Sequence, residues 1–271
     1  MLVGEKLGLV IKGKHILDDV NISLQPGQLY GVLGANGAGK SSLLKILSNE
    51  IKTYTGKVQL NGTPIQKISK LSLAKSRAVL SQQLHLSFPI EVLEIVKMGR
   101  FPYGSQEDKK QTEAVAVWCL EQVGMYAFKD RDMLTLSGGE QQRVHLARII
   151  AQLYEPSSAQ HKFCLLDEPL ANLDIVQQHA MLGLVVQLAK KLNLGFLVIL
   201  HDINLAAQYM EQLAFLKGGK MIAAGPTSST LNQETFRETY GIDATIHHQN
   251  TSNVQVTVHP MAPKEINSLT H

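Results

Sequence analysis

Residues 34–41 read GANGAGKS and match the phosphate-binding template G-x-x-x-x-G-K-(S/T). The apolar run at 29–33 predicts a short buried strand before this stretch, and residues 42–47 predict the start of a helix after it. The template is meaningful in this strand–loop–helix context. The chain is therefore predicted to fold around a loop that binds phosphate groups.

The physical chemistry of this loop is that of an anion site. Its glycines permit backbone angles that other residues resist, so that successive N–H groups form a concavity for the β-phosphate. The following helix directs its positive end at the same charge. Lys40 supplies an ammonium for the β- and γ-phosphates, and Ser41 offers a hydroxyl to Mg²⁺. The predicted nucleotide-binding residues of this loop are Gly34, Ala35, Asn36, Gly37, Ala38, Gly39, Lys40, Ser41 and Ser42.

Composition narrows the class of protein. The chain has 271 residues, 44% of them hydrophobic, which is typical of a globular protein with a sizeable core. A net charge of +3 is too small to argue for a nucleic-acid partner. Cys119 and Cys164 lie in apolar surroundings and are predicted to be reduced core residues. No apolar run approaches the ~20 residues of a membrane span, and no secretion signal is evident, so the chain is not expected to enter a membrane by itself.

Apolar patterns divide the chain into regions. Alternation over the first 25 or so residues predicts strands, and Asn61-Gly62 predicts a hairpin turn. Strands that alternate with helices, such as the helix predicted at 175–192, imply a mainly parallel sheet. Helical spacing from 89 to about 153 predicts an inserted helical subdomain, and 254–258 is a candidate small strand in a polar tail.

The stretch 163–168, FCLLDE, is the second candidate for chemistry. Four apolar strand residues deliver Asp167 and Glu168 at a strand end. Burial of two adjacent acids without partners would be costly, and a Mg²⁺ beside a triphosphate supplies the missing positive charge. Asp167 is predicted to serve the metal, and Glu168 to accept a proton from attacking water as a general base. The alternative for the stretch taken alone is an acidic loop after a strand.

The stretch 136–143, LSGGEQQR, is the third candidate for chemistry. Here the chain resembles the ATP-binding-cassette (ABC) family, whose signature is LSGGQ, with Glu140 in place of the last glutamine. Further family motifs follow the same order: Gln82 after a strand, Asp174 at the end of the D-loop, and His201 at a strand end. The resemblance covers roughly residues 5–240. Ser137 and Glu140 also have the spacing of a helix capping box, and a helix cap is compatible with the family signature at the same residues.

The resemblance implies an ATPase mechanism that needs two copies of the chain. In the homodimer each ATP would be held by the phosphate-binding loop of one copy and by Ser137, Gly138 and Gly139 of the other. The implied cofactors are ATP and Mg²⁺. The implied further contacts are Gln141 and Asp174 to nucleotide, Ser41, Gln82 and Asp167 to the metal, and Glu168, His201 and Gln82 as catalytic residues, with His201 at the γ-phosphate.

The implied fold is α/β: a P-loop NTPase (RecA-like) core with a mainly parallel sheet, an N-terminal antiparallel β part and an inserted helical subdomain. We expect one domain with a core at 1–84 and 160–240, a helical subdomain at 85–159 and a C-terminal extension at 241–271. The family usually stacks an N-terminal aromatic on adenine. None lies between Leu7 and Ile16, so Leu9 or Ile11 is expected to contact the base, with modest discrimination between ATP and GTP.

Three classes of cassette protein compete. Soluble cassette proteins of repair, translation or chromosome organisation commonly carry two cassettes, coiled-coil arms or zinc modules, which this chain lacks. A non-hydrolysing P-loop module would be expected to lose Glu168 or His201. Exporters commonly fuse the membrane segment to the cassette. These comparisons favour the ATPase of an importer, or of an exporter with separate subunits.

Finer similarities point to one branch of importers. Segments 77–82, 88–92, 96–103 and 201–207 resemble the iron-chelate, cobalamin and haem uptake branch, and segments 151–156 and 174–180 resemble the haem importers. A siderophore or cobalamin importer is the alternative.

This resemblance implies two transmembrane permease subunits, an indirect link to a periplasmic haem-binding protein, and a peripheral location on the cytoplasmic face of the bacterial inner membrane. No nucleic-acid partner is expected. Phe88, Phe101 and Tyr103 are expected to form the permease-docking surface, with burial of each in the core as the alternative. His247 and His248 are interpreted as residues of a solvated tail.

Overall fold

A computed structural model describes residues 1–81, 88–155, 158, 160–250 and 253–259 of the chain. Its strands are β1 (Leu2–Ile11), β2 (Lys14–Leu24), β3 (Leu29–Gly34), β4 (Thr55–Leu60), β5 (Thr63–Pro64), β6 (Arg77–Leu80), β7 (Lys162–Leu166), β8 (Leu194–Ile199), β9 (Gln212–Lys217), β10 (Lys220–Pro226), β11 (Ala244–Asn250) and β12 (Asn253–Val258). Its helices are α1 (Lys40–Leu47), α2 (Lys70–Ser76), α3 (Val92–Lys97), α4 (Lys109–Gln122), α5 (Gly138–Leu153), α6 (Ile175–Leu192), α7 (Ile203–Tyr209), α8 (Thr227–Thr230) and α9 (Gln233–Tyr240).

A six-stranded sheet forms the centre of the fold, in the order β10-β9-β3-β8-β7-β6. The strands from β9 to β6 are parallel, and β10 pairs antiparallel with β9 at one edge. A separate antiparallel sheet has the order β2-β1-β4-β5. The predicted fold class is therefore confirmed, whereas the residue ranges given for the core, the helical subdomain and the C-terminal extension stay predictions.

Both faces of the central sheet are covered, which explains its continuous apolar strands. Successive side chains of β7 alternate between two cores. Phe163 and Leu165 join the apolar layer under the antiparallel sheet and α1, and Cys164 and Leu166 join the layer packed against the helices of the other face. Both cysteines are buried free thiols, as expected.

Several local predictions are confirmed. The helix predicted at 175–192 is α6, and Asn61 and Gly62, with φ of 51° and 79°, turn β4 into β5. The candidate strand in the tail is β12, which pairs antiparallel with β11. Among the described helices, none is long and apolar enough to cross a membrane. The parallel strands β3, β7 and β8 end at the same edge of the sheet, which is where a site is expected in such folds.

Candidate active site

The phosphate-binding loop, residues 34–42, joins β3 to α1 and has the backbone that its glycines were predicted to allow. Gly34, Gly37 and Gly39 have φ of 145°, 78° and 104°. A Cβ on Gly34 would lie 2.2 Å from the backbone oxygen of Leu216, and one on Gly39 would lie 2.7 Å from that of Ile16. Two of the three glycines are therefore required by close packing as well as by conformation.

A glycine turn between β9 and β10 is hydrogen-bonded to the phosphate-binding loop. The N–H of Gly219 donates to the carbonyl of Ala38 (3.1 Å), and the carbonyl of Gly219 accepts from the N–H of Asp18 (2.9 Å). This turn links the loop to β2 of the antiparallel sheet. Local sequence does not predict this contact, because Gly218-Gly219 indicates only a hairpin turn when its partners are unknown.

Lys40 lies at the start of α1 with its side chain folded back on the loop. Its Nζ donates to the carbonyls of Gly34 (2.7 Å) and Ala35 (3.1 Å). Burial lowers the pKa of this amine, whereas the charges of Glu168 and Asp167 act in the opposite direction. The ammonium is thus held at the mouth of the loop, where an incoming phosphate would compete for it.

Asp167, directly after β7, meets the loop from the neighbouring strand. Ser41 Oγ donates to Asp167 Oδ1 at 3.1 Å, and the N–H of Asp167 donates to the carbonyl of Leu80 at 2.9 Å. Burial raises the pKa of the Asp167 carboxyl, and the Ser41 hydrogen bond opposes this shift. Two oxygen ligands of the type that Mg²⁺ prefers are therefore adjacent and partly desolvated.

Glu168 and His201 form the second pair at this edge. His201 Nε2 lies 2.7 Å from Glu168 Oε1, although the residues are carried by the ends of different strands, β7 and β8. Glu168 has a φ of 50°, which a non-glycine residue seldom adopts. A constrained backbone at the end of a strand is common where a side chain must point into a site.

A cavity of about 510 Å³ opens in front of the loop. The loop residues on its wall are Asn36, Gly37, Ala38, Gly39, Lys40, Ser41 and Ser42. Lys14, His15, Ile16, Glu168 and Gly218 complete the wall. Lys14, His15 and Ile16 were not predicted, because the sequence at the start of a polar strand does not indicate what the strand will face.

The expected base contact at Leu9 is wrong. Leu9 is 4% exposed and belongs to the apolar layer under the antiparallel sheet, so its side chain is committed to the core. Ile11 is exposed but is not part of the cavity wall. The strand β2, rather than β1, brings side chains to this cavity.

The signature residues lie at the start of α5 and are ordered by the predicted capping box. The backbone N–H of Ser137 donates to Glu140 Oε2 (2.7 Å), and the Glu140 N–H donates to Ser137 Oγ (3.4 Å). Ser137 Oγ also donates to Glu140 Oε2 (2.7 Å), and this bond, together with the one from the Ser137 N–H, holds the pKa of the Glu140 carboxyl below its usual range. A Cβ on Gly139 would lie 2.5 Å from Gln177 Oε1, so α5 packs closely against the start of α6.

Other predicted residues surround the signature. Asp174 caps α6 by accepting from the N–H of Gln177 (2.8 Å). The Gln141 amide donates to the carbonyls of Met133 (3.2 Å) and Leu136 (3.1 Å), which fixes the segment before α5. Among the described residues, the wall of the 510 Å³ cavity includes none of Ser137, Gly138 and Gly139. One copy of the chain therefore does not bring the signature to its own phosphate-binding loop.

The remaining predicted positions have mixed outcomes. Gln82 lies outside the described residues. Phe88 and Phe101 are 58% and 75% exposed, as expected of a docking surface. Tyr103 is 4% exposed, with the Arg100 guanidinium stacked over its ring, so the expectation that it lies on that surface is wrong.

These features define a nucleotide-binding protein with a phosphate-binding loop, a carboxylate pair at the end of β7 and a separate signature helix. A family model described as "ABC transporter" matches residues 17–171, and the chain belongs to the ABC transporter family.

Two relatives cover nearly the whole chain, and both are named Hemin import ATP-binding protein HmuV. The protein from Deinococcus radiodurans is 44% identical over 94% of this chain and 91% of its own length. The protein from Hydrogenovibrio crunogenus is 42% identical over 96% of each.

Two solved structures share the fold at 25% identity. An ABC transporter in an inward-facing conformation, described as of the metal-chelate type, aligns with a TM-score of 0.80 over 97% of this chain and 98% of its own. The protein cbiO1 from Clostridium perfringens, part of the ABC transporter complex cbiONQ, aligns with a TM-score of 0.75 over 88% and 92%.

Proposed function

We propose that this chain is the ATP-hydrolysing subunit that drives a haem importer. The observation that carries the ATPase part is that Lys40 and Glu168 share the wall of the cavity at the loop, with His201 2.7 Å from Glu168, at the ends of β3, β7 and β8. The haem part is supported by the relatives named for hemin import. The proposed location is the cytoplasmic face of the inner membrane, against two separate permease subunits.

ATP would enter the 510 Å³ cavity with its phosphates in the loop. The N–H groups of the loop and the start of α1 stabilise the phosphate charge. Lys40 would exchange the carbonyls of Gly34 and Ala35 for the β- and γ-phosphates. Because Lys40 has already lost most of its water, this exchange replaces weak acceptors by a charged one at little further desolvation.

The pair Ser41 and Asp167 fits a magnesium ion. A hydroxyl and a carboxylate 3.1 Å apart suit this cation, which takes its other ligands from water and phosphate. When bound, Mg²⁺ neutralises charge on the β- and γ-phosphates. We place Ser41 as a direct ligand, Asp167 as a ligand through water, and Gln82 as the contact from the segment outside the described residues.

Glu168 is proposed as the general base and His201 as its neighbour at the γ-phosphate. The 2.7 Å contact between them sets the position of the carboxylate that takes the proton from attacking water. Phosphoryl transfer depends mostly on positioning and on charge stabilisation. The other residues of the site therefore act as positioning groups.

A second copy of the chain would complete each site. Ser137 and Gly138 are exposed at the start of α5 and Gly139 is buried beside them, and none of the three lies on the cavity wall of their own chain. In a two-fold dimer the signature of one copy would face the loop of the other. ATP would then be held between two chains, and binding and hydrolysis would close and open the dimer.

The permease is proposed to dock near the exposed Phe88 and Phe101. This surface flanks the segment that contains Gln82, so nucleotide state and permease contact would be coupled. A periplasmic haem-binding protein would act on the permease and only indirectly on this chain. Charge substitutions at Phe88 and Phe101 should prevent copurification with the permease, and unchanged assembly would contradict the placement.

Reconstitution tests the cargo. The chain is expressed with the membrane protein encoded beside it, the complex is placed in liposomes, and ATPase activity is measured with haem, an iron–siderophore or cobalamin enclosed with the matching binding protein. Stimulation by haem alone is expected. Stimulation by either of the other two instead assigns the complex to that cargo, and no ATPase activity in the intact complex contradicts the proposed function altogether.

A further inference from the structure

Helix α7 begins two residues after His201 and is joined to the C-terminal hairpin by one side chain. Asn204 donates from Nδ2 to the carbonyl of Val256 (3.2 Å), and its Oδ1 accepts from the N–H of the same residue (2.7 Å). The amide thus satisfies both backbone groups of one residue of β12, as a neighbouring strand would. The two residues are 52 positions apart in the chain.

The same residue is tied to the segment that carries His201. The N–H of Asn204 donates to Asp202 Oδ1 (2.8 Å), as does the N–H of Leu205 (2.9 Å), so Asp202 caps α7. Asp202 is the next residue after His201 in the chain. A displacement of Asn204 would therefore be passed through the cap to the backbone of His201.

Packing makes α7 dependent on its neighbours. The helix has only seven residues, too few to be stable without tertiary contacts. At its far end Tyr209 Oη lies 2.7 Å from His179 Nδ1 of α6. The strand β12 packs on it, and Val254 and Val256 of this strand are 5% and 4% exposed.

His201 itself is weakly enclosed. Its side chain is 48% exposed, and Nε2 contacts Glu168 at 2.7 Å. Because little packing surrounds the ring, its position depends strongly on the backbone that carries it. Positions near a reacting group must be held to within a fraction of an ångström, and the surrounding residues usually do this.

We propose that Asn204 is a positioning residue for His201 and that the hairpin β11–β12 acts as a brace that sets this position through it. The inference rests on the proposed role of His201 at the γ-phosphate. Loss of the amide lets the first turn of α7 shift and loosens the contact between His201 and Glu168. Nucleotide binding, which is made by the loop of residues 34–42, is unaffected.

The test compares three full-length variants in the reconstituted transport complex. Asn204→Ala removes both bonds to Val256. Asn204→Asp keeps the acceptor for the Val256 N–H, and a carboxylate in the first turn of a helix favours folding.

Asn232→Ala is the matched control. Asn232 caps α9 by accepting from the N–H of Thr235 (2.9 Å), and its Nδ2 donates to the carbonyl of Ser229 (3.0 Å). The variant therefore loses a comparable pair of bonds in the same half of the chain, and neither bond involves α7 or β12.

We expect the loss of the amide to lower kcat and to leave KM nearly unchanged. Asn204→Ala should lower kcat for ATP by about 3- to 10-fold with KM changed less than about 2-fold, because a contact made mainly in the transition state is weakened. The kcat of Asn204→Asp should lie between that of Asn204→Ala and that of the original chain. Asn232→Ala should keep the original kcat, with a similar fall in Tm.

Three results would overturn the proposal: an original kcat in both Asn204 variants, equal losses of kcat in Asn204→Ala and Asn232→Ala, or a rise in KM without a fall in kcat. If Asn204→Ala does not fold, Asn204→Asp decides by the same criteria. Failure of the proposed function would give a different result, because the original complex would then hydrolyse no ATP.

Discussion

Two inactive variants should restore each other when they are mixed. The cavity that contains Lys40 has no signature residue on its described wall, and in the proposed dimer the signature of the other chain would complete each site. In a two-fold dimer of Lys40→Ala with Ser137→Ala, one site carries both defects and the other carries neither. Random pairing makes about half of the dimers mixed, which leaves about a quarter of all sites intact.

The assay measures steady-state ATPase activity of the reconstituted complex. Each variant alone should lose about a hundredfold or more, the scale of removing one donor from a developing charge. Coexpression of the two chains with different tags should restore about a quarter of the original rate, provided that each site can act independently. A tandem affinity step that isolates only mixed dimers should raise this value to about half.

Stability needs its own control, because Ser137 also caps α5. Loss of such a cap costs about 0.5–2 kcal/mol. Asp108→Ala removes an equivalent capping box at the start of α4 and should lower Tm similarly, with the original ATPase rate. If isolated mixed dimers are no more active than the two variants assayed separately, the site is not shared between two chains.

Three further predictions concern turnover, binding and stability. Glu168→Gln should keep ATP binding, lower turnover by about 10²–10⁴-fold and trap a dimer on gel filtration, and a near-normal rate would exclude the base role. Gly39→Ala should abolish nucleotide binding in titration calorimetry, because its Cβ would lie 2.7 Å from the Ile16 carbonyl; Gly37→Ala, whose Cβ would meet no described heavy atom within 4 Å, should bind more tightly than Gly39→Ala, and equal losses would contradict the steric argument. Burial lowers the pKa of His145 from 6.5 to about 4, so the unfolded chain binds a proton first as pH falls. The stability that this histidine contributes is then present above about pH 6.5 and lost towards pH 4, by about 3 kcal/mol; urea unfolding at both pH values should show this loss in the original chain and not in His145→Gln.

Local sequence patterns predicted the elements whose form depends on near neighbours. The template at residues 34–41 requires glycines with positive φ, and three of them have it. The apolar run before Asp167 and the helical period of residues 175–192 correspond to β7 and α6. Ser137 and Glu140 form a capping box because they are three positions apart. These features follow from backbone geometry over a few residues, and they were sufficient for the family and the fold class.

The tertiary structure alone decided which distant residues meet. Ser41 contacts Asp167 across 126 positions, and His201 contacts Glu168 because β7 and β8 are neighbours in the sheet. Packing also buried Tyr103 and placed His15 on the cavity. Such pairings depend on strand order and register, which are set by the burial of whole faces rather than by any short stretch. The sequence by itself therefore determined the phosphate-binding loop and its family, whereas long-range packing determined which side chains surround the phosphate.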